Sequence, residues 1–520
     1  MCASKSWLRL MTSFVGTAVI ALAVGYAARV VPHWFAPQGA GIDHWFWKNY
    51  VETYRRQRRF PPALTQYVLD QAQWYPPIFP LFLRRLPERI LDRYSHHVAI
   101  VIDLIRMLLL MAVVAWETGG SQRSVLLAGL VYALTPIQVF YNIQLNPRAL
   151  TALMLDVLLL GLLAWLQYGG GWAVWLAIAF VAALVLLTHK MTTQLFWFLM
   201  LVTGVLYRRW DVLLLIPASI AMALILSGGF YRKVLVAHWD IVSFWNRNWR
   251  WIGADPIRES PVYGDGQYER AEKLHKHGLR GVLWHLFILF GFSPAAWLSC
   301  LLAYERLSGA SHFLIYPTYI LVWLFATCAW AVMTSFAKPL RCLGAGYLYV
   351  YNSSFLCSLL LAVTFRYTRS PRFSTTFALI ALGLNAVGVL LYYRYFVHNK
   401  RTRVDTGLDL MIGELRAREH GLVMCIPSNW HEVVAYKTGY PVLWGGHGYG
   451  FRLFEPIWPR LQLRLSDIIQ KYGVRYLLTS DDMLVPAVER ELADAVIVKH
   501  GEYRLYCLPI SDASPAQSHV

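Results

Sequence analysis

About eleven apolar runs, most of them close to 20 residues long, constrain this chain more than any other feature. They fall near residues 10–31, 97–116, 123–141, 149–168, 172–188, 194–207, 211–228, 281–303, 313–333, 347–365 and 373–396. A run of about 20 residues crosses a hydrocarbon core of roughly 30 Å as a helix. A helix satisfies its own backbone hydrogen bonds, which lipid cannot do. Composition agrees: 57% of the 520 residues are hydrophobic, 15% are charged, and the mean hydropathy is +0.41. The expected fold class is therefore a multi-pass α-helical membrane protein. The first run is too long for a signal-peptide core and lacks a small-residue cleavage site, so it is read as a retained span. Within 172–207, "THKMTTQ" divides the apolar sequence, either into two short helices or into one broken, re-entrant pair.

The short basic loops "YRRWD" (207–211) and "FRYTRSPR" (365–372), with Lys5 and Arg9, set the orientation. Cationic loops stay cytoplasmic, which puts the amino terminus inside. The loops 32–96 and 229–280 and the carboxy-terminal part then lie outside. The basic run "HNKRTR" (398–403) opposes this and is set aside because it leads into a folded domain. The segment 230–251 mixes apolar, basic and Trp residues. It reads either as a helix lying in the membrane interface or as one packed on the protein's own outer face.

The formal net charge of +18 falls beside spans and among Trp and Tyr. Membrane lipids or a phosphorylated lipid substrate fit such charge. No nucleic-acid-binding signature accompanies it. Seven cysteines make no disulfide framework. Cys300, Cys328 and Cys357 sit in apolar runs as small hydrophobes. Cys425 and Cys507 lie in the polar region, and paired and free states both remain open.

From about residue 401 the pattern changes. "GLVMCIPS", "PVLWGG" and "VRYLLTS" read as strands, and "ADAVIVKHGEYRLYCLP" as a strand hairpin. "WHEVVAYKTG", "LQLRLSDIIQKYG" and "DDMLVPAVEREL" read as helices, the first two ended by Gly439 and Gly473. Alternation of this kind implies an α/β domain over 401–510, following a transmembrane domain over 1–400. Residues 511–520 are expected to be disordered.

Several residues could do chemistry. Asp43 and His44 follow the turn "APQGAG" at the outer end of the first span, beside Trp45, Phe46 and Trp47, which would anchor at the interface. A carboxylate there can accept a proton from a hydroxyl; a solvated polar pair is the plainer reading. In "QWYPPIFPLFLRRLP" (73–87), prolines force an extended entry and a helix start. Tyr75 sits beside them, and Arg84 and Arg85 either hold a lipid phosphate or hug headgroups. Arg148 opens the fourth span, as a phosphate ligand or a snorkelling side chain. His189 and Lys190 put cationic groups inside an apolar stretch, where charge is costly. They read as a donor-phosphate site or as an interhelical contact. Asp103 and Arg106 are three apart and can pair on one helix face, and Asp156 reads as a helix–helix contact or a cavity wall. In "WGGHGYGFR" (444–452), glycines let backbone N–H groups approach a phosphate or sugar. His447 and Arg452 then become acceptor contacts, although a tight structural turn fits equally.

An amino-terminal span followed by a long outer loop that opens with an acid and contains "YPP" resembles the GT-C superfamily of membrane glycosyltransferases. "FYNIQLNPRALTALMLDVLLLGLLAW" (140–165) is similar to the third and fourth spans of such proteins, which include aminoarabinose transferases and protein mannosyltransferases. The resemblance implies a GT-C-like fold with an extracytoplasmic α/β domain in the cytoplasmic (inner) membrane of a cell-envelope glycan pathway. It implies transfer of a sugar from a polyprenyl-phosphate donor to a lipid, glycan or protein acceptor. It puts Asp43 at the family's catalytic base and His44 where many members carry a second acid. The loop that often holds a further acid has Asn142 and Asn146 instead. These become substrate contacts with Tyr75, and the departure leaves a divalent cation (Mg or Mn) open. Two other readings stand beside this one: a transporter or flippase for a lipid-linked or anionic substrate, and an inactive assembly subunit.

Overall fold

The computed structural model describes residues 2–35, 41–270, 274–276, 278–308, 315–367, 371–398, 405–445 and 449–509. The chain is mostly helical. A long first helix, α1 (Cys2–Phe35), leads into a polar segment carrying α2 (Ile42–Gln57), α3 (Ile78–Arg85) and α4 (Glu88–Arg93). Then come α5 (Ser95–Glu117), α6 (Gln122–Ala133), α7 (Pro136–Asn142), α8 (Arg148–Tyr168), α9 (Trp172–Leu186) and α10 (Lys190–Leu206). After these follow α11 (Trp210–Leu213), α12 (Leu215–Leu226) and α13 (Tyr231–Asn248). The apolar part ends with α14 (Gly278–Phe292), α15 (Pro294–Ser308), α16 (Ile315–Phe336), α17 (Ser353–Tyr367) and α18 (Pro371–His398).

Among the described residues, 6 helices are long and apolar enough to cross a membrane, or up to 9 if each bent pair is one span. Two shorter apolar helices, α9 and α10, answer to the divided run at 172–207. Two expected spans differ. The span expected at 123–141 bends by 55° between α6 and α7, and the one at 281–303 bends by 88° between α14 and α15. Pro136 and Pro294 open the second helix of each pair. Proline lacks an N–H and steers the residue before it away from helix. The third bend, 120°, turns α13 away from α12. Helix α13 leaves Trp239 exposed yet packs its inner side on residues 338–343, so both readings of 230–251 describe part of it.

Two buried ion pairs lock α1, α5 and α8 together. Asp103 pairs with Arg29 of α1 and accepts the Tyr132 hydroxyl at 2.6 Å. Arg106 pairs with Asp156 of α8. The expected Asp103–Arg106 pair within one helix does not form. Each side chain reaches across to another helix, where its partner is also fully buried.

The polar region contains α19 (Thr406–Arg416), α20 (His431–Thr438), α21 (Phe451–Phe454), α22 (Leu465–Tyr472) and α23 (Pro486–Glu491) around four strands. These are β1 (Leu422–Ile426), β2 (Val474–Ser480), β3 (Val496–His500) and β4 (Tyr503–Cys507). Their order is β1-β2-β4-β3, with β1 parallel to β2 and the other neighbours antiparallel. Gly439 and Gly473 end α20 and α22 in the left-handed region, at φ of 72° and 66°. "PVLWGG" forms no strand of the sheet; Val442 makes isolated bridges to Val423 and to Tyr67. Cys425 and Cys507 are both free, since β2 separates their strands. The expected tail at 511–520 lies outside the described residues.

One hydrophobic core joins the segment carrying α2 to the sheet. Trp45, Phe46, Trp47 and Tyr50 of α2 pack with Leu408, Val423, Trp430 and Val433. The three aromatics expected at the membrane interface are therefore interior: Phe46 is 0% and Trp47 1% exposed. Helix α2, which carries Asp43, is clamped between the membrane helices and the sheet.

Candidate active site

Asp43 sits in the first turn of α2, where the positive helix end favours an acid. The helix starts against the loop before α8: a Cβ on Gly41 would meet Gln144 Oε1 at 1.9 Å, so a larger residue there would have to push the Gln144 amide aside. His44 points the other way. It is buried, with Nδ1 accepting the Leu145 N–H at 3.4 Å and Nε2 at 3.3 Å from Ser95 Oγ. Burial, then Lys48, holds its pKa well below the ordinary value of 6.5. A neutral imidazole bridging α2, α5 and the α7–α8 loop is a positioning group, and it does not line the cavity described next.

A cavity of about 1050 Å³ opens beside Asp43. Tyr75, Arg148, His189 and Lys190 line its polar end. Its far wall is apolar and comes from α14 and α18, with Phe287, Ile288, Leu384, Val387 and Leu391. Tyr75 is the hub of the polar end. Its ring stands edge-on to Trp47 at 4.7 Å, and Lys190 Nζ lies 5.3 Å from its centroid. Burial and the Asp43 carboxylate raise the Tyr75 phenol, and Arg148 opposes them. The acid and the arginine thus act on one side chain from the same cavity.

Each cation is set by local structure. The Arg148 N–H at the start of α8 is capped by Asn146 Oδ1 at 2.9 Å, and its guanidinium lies 4.6 Å from the Tyr141 ring. His189 is the N-cap of α10, and its Nδ1 accepts from Thr192 N–H at 3.4 Å. That assigns the proton of the neutral ring to Nε2, making it a donor. Lys190 is buried and lies within electrostatic reach of Asp70. Asp70 is itself buried, and desolvation raises its carboxyl, with Gln73 and Lys190 pulling it down.

Other expected residues lie elsewhere. Arg84 and Arg85 are exposed; Arg84 donates to the Tyr54 hydroxyl at 2.9 Å and stacks on its ring, away from the cavity. Amphipathic α3 turns Phe79 and Leu83 inward and both arginines outward. Asn142 is buried between Gln138 Oε1 (3.1 Å) and the Tyr351 hydroxyl (2.8 Å). Asn146 serves as the cap of α8. Arg452 is exposed and does not line the cavity, and His447 lies outside the described residues. Sequence reasoning missed His238, Gln194 and Tyr347, which line the same cavity. His238 and Gln194 are joined by a 2.6 Å hydrogen bond. The one signal was a His–Trp–Asp run inside the helix at 230–251.

The donor set does not fit a hard divalent cation. Among the described residues that line the cavity Asp43 is the one carboxylate, and three cationic or N–H-donating groups share its end of the cavity. Such ions seek several oxygens. Among the described residues, no group of three His, Cys, Asp or Glu side chains is placed to hold a metal.

No protein-family profile matches the sequence, and no curated protein matches it. Solved structures do. The oligosaccharyltransferase of Archaeoglobus fulgidus in its apo form is 12% identical with a TM-score of 0.54, over 90% of this chain and 70% of that one. The same enzyme, AglB, in complex with an inhibitory peptide and a dolichol-phosphate is 13% identical at 0.52, over 97% and 75%. ArnT from Cupriavidus metallidurans bound to undecaprenyl phosphate is 11% identical at 0.52, over 96% and 98%. The chain has a GT-C fold. A further A. fulgidus structure is a complex with Zn and sulfate.

Proposed function

We propose that this GT-C-fold protein transfers a sugar from a polyprenyl-phosphate donor to an acceptor hydroxyl at the outer face of the cytoplasmic membrane. One observation carries the reading: a single acid and a cluster of phosphate-binding groups share a cavity whose remaining wall is apolar. The apolar wall suits an isoprenoid chain, and the polar end suits its phosphate. AglB and ArnT, bound to dolichol-phosphate and undecaprenyl phosphate respectively, support this donor class.

In the proposed reaction the acceptor hydroxyl gives its proton to Asp43 and attacks the anomeric carbon. The bond to the phosphate oxygen breaks through a transition state with oxocarbenium character. Negative charge grows on the leaving polyprenyl phosphate. Arg148, Lys190 and the Nε2–H of His189 meet it with preorganised donors in a site shielded from water. Tyr75 keeps the acid and the cations at fixed separation. In-line attack predicts inversion at the anomeric carbon. No step requires a metal.

The test offers the purified protein a panel of polyprenyl-phosphate sugars and measures released polyprenyl phosphate. Release with at least one donor, abolished in Asp43→Asn, supports the reading. Wild-type-like release in Asp43→Asn, or a product with retained configuration, overturns the single-step scheme.

A further inference from the structure

Two arginines outside the polar end of the cavity share one indole. The 3-10 turn Trp249–Trp251 follows α13, and a second, Lys338–Leu343, links α16 to α17. The Arg341 Cζ lies 4.4 Å from the Trp249 ring and the Arg250 Cζ 5.2 Å from it. Arg341 is pinned by bonds from Nε to Ser335 O (3.1 Å) and Nη2 to Phe336 O (3.3 Å), which leaves Nη1. Among the described residues no carboxylate pairs with either arginine. Their neighbour Arg247 shows the contrast, since Glu455 holds it through 2.8 and 2.9 Å contacts.

Like charges held this close repel, and burial adds to the cost. The Arg341 guanidinium is lowered by burial and by Arg250. An anion reached by both would offset the repulsion, and guanidinium forks match phosphate oxygens. Arg250 is exposed, so an anion can reach it.

The surroundings indicate an amphiphile. Ile252, Gly253, Cys342 and Leu343, adjoining the two turns, line the main cavity. A second hollow of about 560 Å³ lies on the outward side of α14, between Lys276, Arg280, Leu279 and Leu283. Trp284 and Phe287 line both hollows, and Lys276 Nζ lies 4.1 Å from the Trp284 ring. A basic edge above exposed leucines is the pattern of a lipid-headgroup seat.

We propose that Arg250 and Arg341, held on Trp249, form a second anion site that takes a phosphate ester, separate from the Arg148–His189–Lys190 cluster. The site stands apart from sugar transfer and would bind whether or not the protein is a transferase.

The test is probe binding to the full-length protein in lipid-free detergent micelles. One arm uses radiolabelled inorganic phosphate, and the other uses phosphatidylglycerol followed by native mass spectrometry. The Arg250→Gln, Arg341→Gln double variant is expected to bind at least tenfold more weakly. Arg250→Gln alone should shift binding the same way, and its exposed side chain makes misfolding a poor explanation. Arg84→Gln, exposed on α3 and away from the cavity, should leave this binding unchanged. Retention of the lipid alone assigns a headgroup site, and retention of phosphate alone a water-side one; either supports the inference. Wild-type protein that binds neither, a double variant that binds like wild type, or loss confined to Lys190→Met overturns it.

Discussion

The Arg106–Asp156 pair allows a quantitative prediction. The guanidinium meets both carboxylate oxygens, with Nη2 3.3 Å from Oδ1 and Nε closer on Oδ2. Both side chains are 1% exposed or less. Asp156→Leu removes the counter-ion and leaves a buried guanidinium within a span. Breaking a buried pair in this way costs about 3–5 kcal/mol. The insertion cost of an arginine at mid-membrane, roughly 2.5–3.5 kcal/mol, gives a similar figure independently. The Tyr132 and Tyr351 rings, 5.5 and 5.6 Å from Arg106 Cζ, stay in place and hold the loss near the lower end. Arg106→Met combined with Asp156→Leu removes both charges and should return stability to within about 1 kcal/mol of wild type, or raise it. The second change then recovers about 2–3 kcal/mol of what the first loses. Detergent-denaturation curves of the full-length protein in mixed micelles, read by circular dichroism, give all three values. A loss under about 1 kcal/mol for Asp156→Leu, or a double variant as weak as the single, would refute the argument.

Other outcomes follow from the cavity and the sheet. Asp43→Asn should lower turnover by about 10²–10⁴ without weakening the affinity for polyprenyl phosphate, because the acid repels that anion; equilibrium binding beside single-turnover kinetics separates the two. Arg148→Met and Lys190→Met should each weaken that affinity by about 1.5–3 kcal/mol, whereas Arg84→Gln and Arg85→Gln should not, as measured with labelled lipid. Burial lowers the His431 pKa to about 4 from 6.5, with Nε2 accepting the Cys425 N–H at 3.0 Å. The unfolded chain therefore takes up a proton below pH 6.5 that the fold refuses, and stability should fall by about 1.4 kcal/mol per pH unit from pH 6.5 towards pH 4. His44, also held neutral by burial, adds in the same direction, and denaturation at several pH values in wild type and His431→Gln would show it.

Much of this was legible because lipid imposes strict rules on sequence. Long apolar runs marked the helices, but the breaks at Pro136 and Pro294 went unread, because each proline stands inside an otherwise continuous apolar run. His189 and Lys190 stood out because a basic pair inside an apolar run has few uses. Asp43 and Tyr75 were found from the outer loop, and they reach the same cavity. Arg84 and Arg85 misled because a short amphipathic helix places charge outward whenever its apolar side is needed within. His238 and Gln194 escaped notice because their meaning lies in a contact between α13 and α10, distant in sequence. The Asp103 and Arg106 pairing failed for the same reason: spacing along one helix says nothing of the acids and bases on its neighbours.

The bridge from Tyr67 to Val442, and from Val442 to Val423, means that the sheet borrows its outermost rung from the loop after α2. Asn49 reinforces the seam by donating to the Glu432 carbonyl at 2.9 Å. The carboxy-terminal unit is therefore not a detachable module. Expressed alone it would bare the margin of the Val442 segment that Tyr67 covers and invite aggregation, and a chimaera that swaps it between homologues would have to carry residues 58–77 along with it.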